Sequence, residues 1–295
     1  MDDWMPKGEM GQKIMDTVEM LKNTGDGNIT ITLAGAHAKG LADELSDTDI
    51  YLYYENPKPY ETNKLIIENF ADDNRISWMT ADHFSAPYGG AYSFLHKGTL
   101  VEVTTRLYEN ALKRIHESME GQFEIIPQGW TINGYYTFTY ASEISYVKPV
   151  WDPSGFIENT KKIIYPYSLK LKKKIIETFG SGMKSAPLYN QEYVNATKRR
   201  DLFMTNYFVD KTLLNMIQVI YALNDTYFTG DKQIMKKLAA LPYCPLKLLE
   251  NIEFLLGAPD DGEKLSQQRE LLREIVQEID AKCAALIWED SSPMG

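Results

Sequence analysis

The stretch Leu33-Ala-Gly-Ala-His-Ala-Lys-Gly-Leu-Ala-Asp-Glu-Leu-Ser-Asp-Thr-Asp-Ile-Tyr-Leu-Tyr53 decides the fold. Its end, Asp47-Thr-Asp49 followed by Ile50-Tyr-Leu52, reads as a strand, in which residues i and i+2 share a face. Both carboxylates then aim at one point, while Ile50 and Leu52 turn the other way into a core. Upstream, Ile29-Thr-Ile-Thr-Leu33 alternates in the same manner, and Gly35 follows as a turn. Two clustered carboxylates repel each other and cost stability unless a cation sits between them. Strand, glycine turn, short helix and a second strand with Asp-x-Asp form an arrangement suited to a nucleoside triphosphate with Mg2+.

Working outward, Ile14, Val18 and Leu21 recur at helical spacing and predict a helix over about 10–22. Turn chemistry at 23–28 ends it. Strands are expected at 29–34 and 48–54, with a short helix near 36–45 between them. Asn56-Pro-Lys-Pro59 stops the second strand, because proline donates nothing to a ladder. A helix near 60–70, a short strand Arg75–Met79, the Gly89-Gly90 loop, a strand Thr99–Thr105 and a helix Asn110–Met119 complete a small α/β region. Beyond Gly121, leucine, lysine and aromatic residues recur at helical spacing, broken by prolines and glycines. The expected architecture is α+β: a small mixed-sheet domain over residues 1–125, then an all-α bundle over 126–295.

The chain has 295 residues, enough for two cores. Its net charge is −10, and residues 1–125 hold 21 acidic and 11 basic side chains against 20 of each in 126–295. The acidic excess thus accompanies Asp-x-Asp; such a field attracts metal ions and cationic substrates and opposes long polyanions. An acidic surface that merely keeps a protein soluble has the same composition. Cys244 and Cys283 show no metal spacing and suit a reducing compartment. With no secretory h-region at the N-terminus and no apolar run near ~18 residues, a cytoplasmic protein is expected, with no membrane partner.

Glu102 in Val101-Glu-Val103 projects from the sheet face opposite the valines. Beside the Asp47/Asp49 strand it would complete a three-carboxylate cluster. Such a cluster can hold two divalent ions about 4 Å apart for in-line displacement at phosphorus. Glu102 could instead accept a proton as general base. The turn Gly35-Ala-His-Ala-Lys-Gly40 offers backbone N–H groups to phosphates, and Lys39 offers a cation. Read singly, each motif has an ordinary alternative: a turn or cap for Ser46–Asp49, a solvated sheet face for Glu102, and a solvated helix surface for Lys39 and His37.

Gly35-Ala36, Asp47-Thr-Asp49 and Glu102 together resemble the polymerase-β-type nucleotidyltransferase superfamily. Its signature is a Gly-Ser or Gly-Gly turn, an apolar-flanked Asp-x-Asp and a later acid on a strand. The resemblance implies a small α/β core, two Mg2+ ions, and transfer of a nucleoside monophosphate from ATP or another NTP to an acceptor. It makes Asp47 and Asp49 metal ligands and Glu102 a third ligand or base, with Gly35 and Ala36 in the triphosphate-cradling turn. One departure stands out: the family's serine after the glycine is Ala36. Losing its hydroxyl weakens binding by roughly 1–2 kcal/mol unless Thr32, His37 or Lys39 substitutes.

Val150-Trp-Asp-Pro-Ser-Gly155, Tyr165-Pro166, Ala222-Leu-Asn224, Tyr227-Phe228 and Leu241-Pro242 resemble the helical domain that follows bacterial nucleotidyltransferase domains related to antibiotic-modifying enzymes. Three functions are then expected. One is Mg2+-dependent transfer of NMP to a hydroxyl of a small molecule such as an aminoglycoside-like antibiotic. The others are a catalytically weakened nucleotide-binding regulator and NMP transfer onto protein or tRNA.

Further candidates lie in the second half. Lys198-Arg199-Arg200-Asp201 is expected to open a long helix, and Lys211 lies in the apolar stretch Phe203–Tyr221, where it could complete a triphosphate site. Tyr135, Tyr136, Phe138 and Tyr140 are expected on one helix, either as core residues or as a stacking surface.

Overall fold

The computed structural model describes residues 4–43, 46–73, 75–78, 86–127, 134–257, 259 and 261–289. The chain divides into two compact units, one of residues 1–119 with 123–166 and the other of 120–122 with 167–295. In the first, the elements run α1 (Gly8–Leu21), β1 (Gly25–Leu33), α2 (Gly35–Lys39), β2 (Thr48–Pro57), α3 (Tyr60–Phe70), β3 (Ser77–Trp78), β4 (Gly90–His96), β5 (Thr99–Leu107) and α4 (Tyr108–Met119). They continue with β6 (Ile125–Ile126), β7 (Tyr135–Tyr136), α5 (Thr139–Tyr146), β8 (Lys148–Trp151) and α6 (Phe156–Ile164).

The main sheet is six-stranded and mixed, in the order β3-β4-β5-β2-β1-β8. Its parallel pair is β2 with β5, which sets Asp49 opposite Glu102 and Ile50 opposite Val103. Period-2 alternation sorts the two faces. Ile31, Leu33, Ile50, Leu52, Val101, Val103 and Phe94 pack with Ile14, Val18 and Leu21 of α1 and Ile67 of α3 in one core. Each such side chain contributes about 1.5–3 kcal/mol by leaving water. The opposite face carries Asp49 and Tyr51 of β2 and Glu102 and Arg106 of β5.

Four expectations for this unit need correction. β4 occupies a stretch where periodicity and turn signals predict no strand. It turns into β5 through Lys97-Gly98, both at positive φ, a two-residue hairpin whose lysine lacks the usual Asn or Asp signal. The Asp72 carboxylate accepts both turn N–H groups, at 2.7 Å each. Second, the helix expected over 36–45 ends at Lys39, because Gly40 caps it in the left-handed conformation; Glu44 and Leu45, like Met79 of the expected strand, lie outside the described residues. Third, the unit boundary falls after residue 166, not 125. β8 adds to the sheet edge beside β1, Glu143 of α5 bonds Arg106 of β5, and Phe156 of α6 lies 5.1 Å from Tyr53, centroid to centroid. Those contacts are long-range and leave no trace in local periodicity.

Fourth, Tyr135, Tyr136, Phe138 and Tyr140, expected on one helix, are instead divided: Tyr135 and Tyr136 form β7, Phe138 precedes α5 and Tyr140 lies on it. All four are buried.

In the second unit the described regular elements are helical: α7 (Leu169–Lys184), one π-turn (Ser185–Tyr189), α8 (Gln191–Arg199), α9 (Leu202–Leu223), α10 (Ile234–Ala239), α11 (Leu246–Glu250), α12 (Ile252–Leu256) and α13 (Gly262–Glu289). Ser168, Asn190 and Asp201 cap α7, α8 and α9 through side-chain oxygens that accept first-turn N–H groups. Gly182 lets α7 approach α9 closely, since a Cβ there would lie 2.4 Å from Asn215 Oδ1. The core takes Phe208, Leu213, Met216 and Ile220 from α9 and Leu272, Ile275 and Ile279 from α13. Among the described residues no helix is long and apolar enough to cross a membrane.

Candidate metal and phosphate site

The site begins where β1 ends. Ala34 donates its N–H to the Asp49 carbonyl at 2.8 Å, and Gly35 follows at φ +53°. A Cβ on Gly35 would sit 1.6 Å from Asp49 Oδ2. Only glycine fits: a side chain would collide with the carboxylate, and the left-handed backbone disfavours one independently. The first intrahelical bond of α2 is Ala38 N–H to the Ala34 carbonyl, so the N–H groups of Gly35, Ala36 and His37 precede the helical ladder.

Asp47, Asp49 and Glu102 each bring a carboxylate oxygen within 4.8 Å of the others. Asp47 and Asp49 are half-buried and Glu102 is exposed. β2 supplies Asp49, Asp47 immediately precedes that strand, and the parallel register with β5 supplies Glu102. Three like charges this close are mutually destabilising, and an all-oxygen, anionic donor set with one exposed member fits a hard divalent cation such as Mg2+ that retains waters.

His37 is half-buried, and among the described residues its Nε2 has no hydrogen-bond partner. Burial holds its pKa below the ordinary histidine value, with the Asp47 charge opposing that shift. It is therefore not the fully solvated residue that a turn position suggests. Thr32 donates its hydroxyl to the Tyr51 carbonyl at 3.1 Å, so it is engaged in the sheet. Lys39 Nζ lies 4.3 Å from the ring centroid of Tyr146.

Other residues, which local patterns did not single out, lie on the same sheet face or on α5. The hydroxyls of Tyr51 and Tyr146 are 3.1 Å apart. Burial raises the pKa of Tyr146, and the nearby Glu143 and Asp49 charges push it in the same direction. Arg106, two pleats beyond Glu102 on the same face, is buried and donates to Glu143 Oε1 at 2.7 Å, to the Thr105 carbonyl at 3.2 Å, and to the Tyr88 carbonyl. The Tyr140 ring lies 4.9 Å from its guanidinium carbon, and the Tyr140 hydroxyl donates to the Pro87 carbonyl at 3.0 Å. Burial pushes the Glu143 carboxyl upward in pKa and the adjacent guanidinium works against it. The available signal for Arg106 was its even spacing from Glu102; nothing local pointed to Glu143 or Tyr146.

The basic run Lys198–Arg200 ends α8, with Arg200 in the left-handed cap, and does not open the long helix; Asp201 caps α9 instead. Lys211 is an exposed residue of α9 in the second unit, and its Nζ donates to the Tyr207 hydroxyl at 3.2 Å.

No protein-family model matches the chain. No curated protein matches it either. Among solved structures, a nucleotidyltransferase-like protein from Exiguobacterium sibiricum 255-15 is similar at 8% identity and a TM-score of 0.44, covering 94% of this chain and 77% of that one. A TM-score this low carries no function across, so the chemistry is read from the side chains of this chain alone.

Proposed function

We propose that this protein is a Mg2+-dependent nucleotidyltransferase that moves a nucleoside monophosphate from ATP or another NTP to a hydroxyl of a small molecule. The observation that supports this most is the meeting of Asp47, Asp49 and Glu102, with their carboxylate oxygens within 4.8 Å of one another, against the Gly35 turn. Bound magnesium would supply charge neutralisation for the triphosphate and Lewis acidity at phosphorus. Asp47 and Asp49 would hold it, with Glu102 as third ligand or base. The N–H groups of the Gly35-Ala36 turn and the Lys39 ammonium would hold phosphate oxygens. An acceptor hydroxyl attacks the α-phosphorus, the α–β phosphoanhydride bond breaks, pyrophosphate leaves, and Glu102 takes the hydroxyl proton.

The acidic balance of residues 1–125 favours a cationic acceptor, of which an aminoglycoside-like antibiotic is one class. Incubation with labelled ATP or GTP, Mg2+ and a panel of such acceptors tests this by adduct mass. Loss of adduct in Asp49→Ala is the expected result. No adduct on any acceptor, with Asp49→Ala indistinguishable from the parent, overturns it. Ala36 in place of the family serine motivates a second reading, a regulator that binds NTP without consuming it. Calorimetry combined with product assay separates the two, and a large labelled acceptor in lysate would indicate protein or tRNA modification.

A further inference from the structure

Helix α5 grips both acidic strands. Glu143 and Tyr146 are three residues apart and so share a helix face. Glu143 bonds Arg106, on the strand that carries Glu102, with both side chains buried. Tyr146 meets Tyr51, on the strand that carries Asp49, hydroxyl to hydroxyl at 3.1 Å. Tyr146 also reaches α2, where its ring lies 4.3 Å beneath the Lys39 ammonium. One side chain therefore joins the element that opens with Gly35 to the strand that carries Asp49. Tyr51 follows Asp49 by two residues on the same strand face, so the Tyr51–Tyr146 contact lies one pleat from that carboxylate.

A lysine side chain has four rotatable bonds and, left in solvent, samples many positions. An aromatic face removes most of that freedom while leaving the three ammonium protons for oxygen acceptors. We propose that Tyr146 is a positioning residue for phosphate binding: its ring seats the Lys39 ammonium beside the carboxylate cluster, and its bond to Tyr51 ties that ammonium to the acidic strand. This rests on the proposed nucleotidyltransferase function and adds to it a residue outside the turn and the two acidic strands. Lys39 then recovers part of the phosphate binding that Ala36 lacks.

The test is a double-mutant cycle on the full chain, read by calorimetric binding of Mg2+ with α,β-methylene ATP and, separately, the GTP analogue, so that turnover plays no part. Lys39→Met is expected to weaken binding about 10-fold, and Tyr146→Leu by a similar factor. The Lys39→Met/Tyr146→Leu double variant is expected to be no weaker than Lys39→Met alone, because both remove one interaction. Tyr146→Phe keeps the ring but loses the bond to Tyr51, and is expected to weaken binding by a factor intermediate between the parent and Tyr146→Leu. Thermal melts accompany each variant; Tyr146→Met, which keeps side-chain bulk without an aromatic face, replaces Tyr146→Leu if the latter unfolds. Unchanged binding in Tyr146→Leu, or losses that multiply fully in the double variant, overturn the proposal while leaving the function intact. A parent protein that binds neither analogue overturns both.

Discussion

At one end of the sheet face opposite the α1 and α3 core three carboxylates crowd together near solvent; at the other end one carboxylate lies buried against a guanidinium. The two arrangements share strand β5, on which Glu102 and Arg106 lie two pleats apart. Their energetics are opposite. Asp47, Asp49 and Glu102 repel one another, so the folded chain carries an electrostatic cost there that a divalent ion would relieve. Arg106 and Glu143 pair at 2.7 Å and balance each other's charge without any ligand, while Arg106 Nε and Glu143 Oε2 have no hydrogen-bond partner among the described residues. The acidic end thus reads as built for something that arrives, and the paired end as the support that holds it in place.

Breaking the paired end should have the largest effect on stability. Arg106→Leu leaves Glu143 buried and uncompensated, at an expected cost of about 3–5 kcal/mol in chemical denaturation. Arg106→Leu combined with Glu143→Met should recover a substantial part, since the cost is that of an orphaned charge. If the single variant is as stable as the parent, the pair does not support the acidic end.

Breaking the acidic end should act on chemistry and spare the fold. Asp49→Ala is expected to lower transfer at least about 100-fold, roughly 3 kcal/mol of transition-state stabilisation. In metal-free buffer its melting temperature should match or exceed the parent's, because like-charge repulsion is removed. A marked loss of stability would show that Asp49 is structural.

Ligand should sharpen the contrast. Mg2+ with a non-hydrolysable triphosphate at about 100 times its Kd should stabilise the parent by about 2.7 kcal/mol, and chelation should reverse this. The same addition to Asp49→Ala should give no shift. The smallest expected effect is at Glu102: Glu102→Gln, in chelator, should raise stability by up to about 1 kcal/mol, since the group is exposed and its repulsion is screened by solvent and salt. That gain should vanish at high salt.

The acidic end was legible because its logic is local. Period-2 alternation around Asp49 and Glu102 places each acid opposite apolar neighbours on a strand, and the glycine turn comes directly after the first strand. The closeness of Gly35 to Asp49 shows why that turn tolerates no side chain, which composition alone does not say. The paired end was not legible. Glu143 and Arg106 are 37 residues apart, and their meeting depends on α5 folding back over the sheet. The same return of the chain moves the unit boundary past the expected position and turns a stretch read as helical into β7, α5 and β8.

Taken alone, then, the order of amino acids determined which side chains lie on which face of each strand, because backbone pleating makes that a matter of parity. It also determined the helical character of the second unit, through spacing and caps. Tertiary structure alone decided that β2 and β5 are parallel neighbours in the register that sets Asp49 against Glu102, and that α5 covers the far end of their shared face. Strand pairing and helix docking are selected by the summed burial and hydrogen bonding of distant segments, and no local window of the chain contains that sum.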